Sequence, residues 1–251
     1  MKTLLLEEMS WTQIKEAMGL GYKTVIIAAG AIEQHGPHLP EGTDSYIGYA
    51  HAEELAKELG HALVAPTIRP GLSEHHMNFP GTVTLRPSTF VAIIEDYISS
   101  YIQHGFETII ILPSHGGNYK TIEEFCNTTP QKYPGTKIIY CMDMETMLKV
   151  ADISAQEDGI PINKAGIHAG EFETSTMLEF YPHLVNMSLA EEGFTGDLKS
   201  VISTVLAEGI HGVTKNGILG DPRDATAERG RKCTTRRIKA YAEIVRKKLA
   251  E

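Results

Sequence analysis

Cysteine is scarce in this chain: Cys126, Cys141 and Cys233 are all there is, and no two of them form a CxxC pair. An odd, dispersed set argues against a disulfide framework or a thiolate zinc site and for reduced thiols in a cytoplasm. Positive charge is also in deficit. Lys and Arg number 23 against 32 Asp and Glu, a net charge of −9, where a dedicated nucleic-acid binder carries a basic domain. No apolar run approaches a membrane span. The start, "MKTLLLEEMS", offers one Lys and a short apolar run before two glutamates, too weak for a secretory signal. Low-complexity segments, fixed-period repeats and obvious linkers are missing. So are a GxSxG nucleophile elbow and the Lys-Ser/Thr pair of a phosphate-binding P-loop.

What is present reads as one α/β domain over residues 1–251. Hydrophobic content is 42% and charged content 22%, ordinary for a globular protein whose length suffices for a large core. Apolar runs alternate with helical patterns, which implies βαβ units and a largely parallel sheet. Four runs, 24–30, 62–68, 108–114 and 137–143, are short and rich in branched residues, as strands buried on both faces should be. A helix is expected from Asp44 to Gly60, and another over 87–105 with Ser88 as its N-cap and a stripe of Phe90, Ile94, Tyr97, Ile98 and Tyr101. Further helices are expected near 119–129, 172–180, 197–208 and 224–249. In the last, Ile238, Tyr241, Ile244, Val245 and Leu249 recur at helical spacing, so its many basic residues read as a wet face.

Three polar clusters stand out. "GAIEQHGPHLPEGTD" (30–44) follows the first strand and gathers Glu33, His35, His38, Glu41 and Asp44. If the chain is extended there, Glu33 and His35 point to the same side. Asp44 or Thr43 can equally cap the next helix, where a carboxylate is favoured in any case. "SHGGN" follows the third strand with His115, Gly116, Gly117 and Asn118. "GIHAGEFETS" holds His168, Glu171 and Glu173 before an apolar helix, a pattern that also fits acidic residues in a helix's first turn. Ligands of open α/β sheets bind beyond the carboxyl ends of strands, where the first two clusters fall. Mixed Glu, His and Asp donors suit zinc, manganese or iron. Paired ions of that kind support hydrolysis.

"GAIEQHGPHLPEGTD", "GLSEHHMNFPGTVTL", "LPSHGGN" and "HAGEFETS", in that order along most of the chain, resemble the creatininase (creatinine amidohydrolase) family. The resemblance implies a three-layer α/β/α sandwich with a mostly parallel sheet and a binuclear metal centre at the strand ends. Glu33, His35, Asp44 and His115 fall on the family's metal ligands, Asp44 as the bridge. His168 falls on the histidine that passes a proton to the leaving nitrogen. His76 is placed near the rim of the site, with Gly117 and Asn118 as further substrate-side residues. His38 either lines the site or faces water. Two divalent ions are implied, zinc ahead of manganese or iron, with a small-molecule substrate. The resemblance also implies a homo-oligomer, a hexamer built as a trimer of dimers.

Two departures follow. Creatininase itself has a glutamate ligand two residues after the histidine matched by His115, and here that position is Gly117. Glu173 is the expected replacement, with Glu171 next. Creatininase closes tryptophans over creatinine, whereas the one tryptophan here, Trp11, matches neither of them. The expected activity is therefore hydrolysis of a C–N bond in a small cyclic amide or formamide by a member other than creatininase. Trimming of a cofactor-precursor peptide, or opening of an oxidised, keto-inositol-type sugar ring, stands as the alternative.

Overall fold

A computed structural model describes residues 2–250, apart from the side chains of 130 and 131. Four parallel strands form the sheet in the order β2-β1-β3-β4: β1 is Thr24–Ala29, β2 Ala62–Val64, β3 Thr108–Pro113 and β4 Lys137–Tyr140. In register, Thr24 through Ala29 pair with Thr108 through Pro113 along the central β1–β3 ladder. Ile26, Ile27, Ile109, Ile110 and Ile111 are wholly buried, each stabilising the fold by roughly 1.5–3 kcal/mol.

Nine helices accompany the sheet among the described residues. They are α1 (Trp11–Gly19), α2 (Thr43–Leu59), α3 (Pro87–Gln103), α4 (Tyr119–Thr128), α5 (Met144–Asp158), α6 (Ile162–Ala165), α7 (Glu171–Phe180), α8 (Leu198–Glu208) and α9 (Ala227–Ala250). Right-handed crossovers decide their sides. The β1-α2-β2 unit moves one way along the sheet, while β2-α3-β3 and β3-α4-β4 move the other way, so α2 lies opposite α3 and α4. Helix α9 packs beside α2 and α7, with Ile238, Tyr241, Ile244 and Val245 buried and Leu249 at the exposed end. Among the described residues, no helix is long and apolar enough to cross a membrane.

Several sequence expectations are corrected in detail. The run 62–68 is a strand only to Val64. It is interrupted at Ala65–Pro66 and resumes as a bridge between Ile68 and Ala29. β4 ends at Tyr140 because Asp143 caps α5, its carboxylate accepting the Thr146 amide. Ser88 is not a cap: α3 starts at Pro87, whose missing amide hydrogen suits the first helical position, and Arg86 precedes it without a side-chain bond. Helix α5, absent from the sequence expectation, covers Met144–Asp158.

The strand order has a functional consequence. Connections leave β1 and β3 in opposite directions, opening a crevice between their carboxyl ends, the usual ligand site of such sheets.

Candidate metal centre and active site

Glu33 and His35 leave the end of β1, Asp44 stands in the first turn of α2, and His115 follows β3. His168 and Glu173 arrive from the far end of the chain through α7. The crevice thus collects the residues that the sequence scattered. Glu33 and His35 are fully buried, and Asp44, His115 and His168 nearly so.

Asp44 is the hub. Its Oδ1 lies 3.4 Å from His35 Nε2, and its Oδ2 lies 3.2 Å from His115 Nδ1. His35 Nε2 also faces Glu173 Oε2 at 3.7 Å. Glu33 divides its oxygens, Oε2 at 3.3 Å from His115 Nε2 and Oε1 at 3.3 Å from His76 Nε2 and 3.6 Å from His168 Nδ1. Ligand atoms of Glu33, His35 and Asp44 lie within 4.8 Å of one another, as do those of His35, His168 and Glu173.

Backbone carbonyls fix the imidazoles. His35 Nδ1 donates to the Glu33 carbonyl at 2.9 Å, turning Nε2 inward. His115 Nε2 donates to the Leu72 carbonyl at 3.1 Å, which turns Nδ1 toward Asp44. A histidine whose other nitrogen is bonded this way has a set tautomer and direction. Both oxygens of Glu33, His35 Nε2 and Asp44 Oδ2 have no hydrogen-bond partner. Buried polar atoms rarely stay unpaired, and these converge with the donor chemistry of a divalent cation. The residues fit a metal.

The electrostatics agree. Burial lifts the Glu33 carboxyl to about 7 against the pull of His115. Burial alone would lower His35 and His115, yet Asp44 raises the first to about 10, and Glu33 with Asp44 raises the second to about 9. Burial raises Asp44, but His35 and His115 outweigh it and hold the carboxyl far below its usual range. Burial beside His35 and His76 keeps His168 neutral.

His168 is aimed by Gln34. Its Nε2 donates to the Gln34 carbonyl at 2.7 Å. The Gln34 amide donates to His76 Nδ1 at 3.0 Å and to the Gly217 carbonyl at 3.1 Å. His168 Nδ1 is left as a bare nitrogen facing Glu33. Gln34 was not singled out from the sequence, because an amide between two motif residues gives no periodic or compositional signal. His75 was passed over as well; it lies with Glu33 and His115 in one ligand-capable group and stacks on the His115 ring at 5.7 Å.

Other sequence candidates separate clearly. Glu171 turns away from the crevice, where its carboxylate accepts from Ser175 at 2.6 Å, while Glu173 accepts the Ala169 amide at 2.6 Å and faces His35. His38 does not face water: it is buried, with Nε2 2.9 Å from the Thr174 hydroxyl. Asn118 is fully buried, and its amide bonds the Leu72 amide and the Ala29 and Gly30 carbonyls. Both polar atoms of the Asn118 side chain are thus engaged with backbone. At Gly117 a Cβ would collide with the Leu72 carbonyl, His115 Nε2 and His75. No glutamate can stand there without displacing His115.

The family model described as creatinine amidohydrolase, the creatininase model, matches residues 7–245. The mycofactocin precursor peptide peptidase of Mycolicibacterium smegmatis is 28% identical over 228 residues, 89% of this chain and 84% of that protein. The creatinine amidohydrolase of Pseudomonas putida is 26% identical over 196 residues, covering 74% and 75%. A solved creatininase mutant with one tryptophan replaced by phenylalanine superposes with a TM-score of 0.77 at 23% identity, covering 98% of both chains, which is a likeness of fold. With the fold, the ordered motifs and a match over nearly its whole length in agreement, the chain belongs to the creatininase family of hydrolases.

Proposed function

We propose that this protein hydrolyses a C–N bond in a small amide, a formamide or the end of a short peptide. The divalent ions it needs would be held by Glu33, His35, Asp44, His115 and Glu173. The observation that carries this reading is the set of buried, unpartnered atoms of Glu33, His35 and Asp44 at the strand ends. Asp44, with one oxygen toward His35 and the other toward His115, is the residue suited to be shared by two ions. Glu33 and His115 then serve one side, His35 and Glu173 the other. Zinc is the favoured ion, with manganese or iron next. Ions bound there would supply Lewis-acid polarisation of a carbonyl and an activated water near neutral pH.

The chain's own contribution to the chemistry is proton handling. His168 is neutral, and its bare Nδ1 faces the centre. It takes a proton as water adds to the carbonyl and returns that proton to the departing nitrogen, so the C–N bond breaks into an acid and an amine. Gln34 keeps His168 in the tautomer this needs. His76, bonded by the same amide, and the backbone of Gly117, packed against His115 and His75, border the space for substrate. Asn118 holds the loops that carry His115 and Leu72 together. We assign the protein to the cytoplasm and to a homo-oligomer, a hexamer by family pattern.

Chelation followed by add-back tests the reading. Turnover of a panel of creatinine, formamides, short peptides and cyclic ketones should vanish on metal removal and return with Zn²⁺ or Mn²⁺. Asp44→Ala should lose metal, measured by elemental analysis. Turnover that survives chelation, or a purified protein without transition metal, would refute it. Activity on the cyclic ketone alone would replace C–N with C–C cleavage.

A further inference from the structure

One cation beside the centre has no part in the chemistry above. Arg237 of α9 lays its guanidinium over the Phe172 ring, with Cζ 3.9 Å from the ring centroid. Phe172 sits between Glu171 and Glu173 in the first turn of α7, so the stack brings the charge to the edge of the centre. Tyr241, one turn further along α9, and Tyr119, the residue after Asn118, also lie within its field.

Arg237 has no carboxylate within 4.0 Å among the described residues, unlike its neighbours on the same helix. Arg231 pairs with Glu179, Arg236 with Glu157 and Asp158, and Arg246 with Glu58. Arg229 bonds the Asp224 carbonyl. Arg69 and Arg86 also lack a carboxylate, but they stand in solvent, whereas Arg237 is half-buried.

A guanidinium cannot shed its proton. Half-buried, it forfeits hydration, and stacking on an aromatic face returns only ~0.5–2 kcal/mol. Stacking on one ring still leaves Arg237 a planar fork of N–H donors of the kind that matches a carboxylate. In a chain of net charge −9, whose centre adds three carboxylates, an anionic ligand needs such a local cation to approach.

We propose that Arg237, seated on Phe172, anchors a carboxylate of the substrate, so that the enzyme prefers amides and peptide ends carrying a free carboxylate to their neutral counterparts. This specificity rests on the hydrolase reading above and narrows it.

The test is calorimetric titration of metal-loaded protein with N-acetylglycine and N-acetylglycinamide, which differ only in the carboxylate. Wild type should bind the acid about tenfold or more tightly than the amide, the ~1.4 kcal/mol expected of a charge-assisted pair. Arg237→Gln should lose the preference and Arg237→Lys should keep part of it, with metal content equal in all three. Should Arg237→Gln fold poorly, Phe172→Leu removes the stack instead and should weaken the same preference. Equal binding of acid and amide by wild type, or a preference that survives Arg237→Gln, overturns the proposal. So does an Arg237→Gln variant that loses its assembly on gel filtration with the preference intact, because the anion then belongs to a neighbouring subunit. Protein without metal or turnover that still discriminates acid from amide through Arg237 would overturn the hydrolase reading and leave this one standing.

Discussion

Ala169 takes a left-handed backbone conformation, φ 52°, between His168 and Gly170. For a residue with a side chain that costs roughly 1–2 kcal/mol. The turn is held because its amide donates to Glu173 Oε2 and its methyl is wholly buried beside Leu39, Ile47, Met177 and Ile218. One bent residue thus sets the directions of both His168 and Glu173. His168→Asn should lower kcat by about 10²–10⁴-fold, the usual worth of a positioned acid–base group, and leave metal content unchanged by elemental analysis. Loss of metal in that variant would make His168 a ligand instead. The two glutamates of α7 should differ in kind. Glu173→Gln should weaken metal retention, whereas Glu171→Gln should keep metal and cost ~1–3 kcal/mol in urea unfolding. Glu171 supports Ser175, whose hydroxyl in turn accepts the Thr226 amide.

At the scale of elements, the sheet was the part most open to sequence reading. Ile109, Ile110 and Ile111 are apolar because both faces of the strand are covered, and such a run says strand and burial together. Helix α5 was hidden for the opposite reason. Met144, Leu148 and Ile153 are exposed in it, Met147 is its one buried residue, and no apolar stripe marks a face. The site was half legible. Glu33, His35 and His115 sit beside glycines at strand ends, a local signal, but the choice of Glu173 over Glu171 depended on the Ala169 turn, which alanine does not advertise. His38 stayed open between the site and water, because a polar loop residue gives no sign of the packing, here Thr174, that buries it. Asn118 clamps two loops and the end of β1. Asn118→Ala should leave buried backbone groups unpaired and cost ~2–4 kcal/mol, read as a lower urea midpoint with an unchanged slope.

For the whole molecule, acid stability has an identifiable contributor. The hydrogen bond and charge of Arg223 hold the Asp221 carboxyl at about 2. A depressed carboxyl stabilises the fold above its unfolded value, near 3.8, and loses that contribution as pH falls through the folded one. Half-exposed Arg223 is screened by solvent, so the contribution is ~1 kcal/mol. Arg223→Met should therefore be less stable than wild type at pH 7, with the gap shrinking toward pH 3 in parallel denaturant titrations. An undiminished gap at pH 3 would show that packing, not charge, is responsible. Metal should act on the same ledger. Burial of the Glu33 and Glu173 carboxylates opposes folding until a cation neutralises them, and saturation at a hundredfold over Kd adds ~2.7 kcal/mol. Chelation should lower the melting temperature, and Zn²⁺ should restore it.

The glycine at 117 reaches further than its own turn. Because His115 and the Leu72 carbonyl occupy the space a longer side chain would need, the proposed centre would draw its last carboxylate from Glu173 of α7, far along the chain. A cation held by residues from 33 through to 173 would act as a rivet between the strand ends and α7. Without it, α7 keeps its packing on α9 and α2, and the turn that leads into it, around His168, loses a fastening. Proteases should cut first near residues 159–170, before the rest of the fold yields.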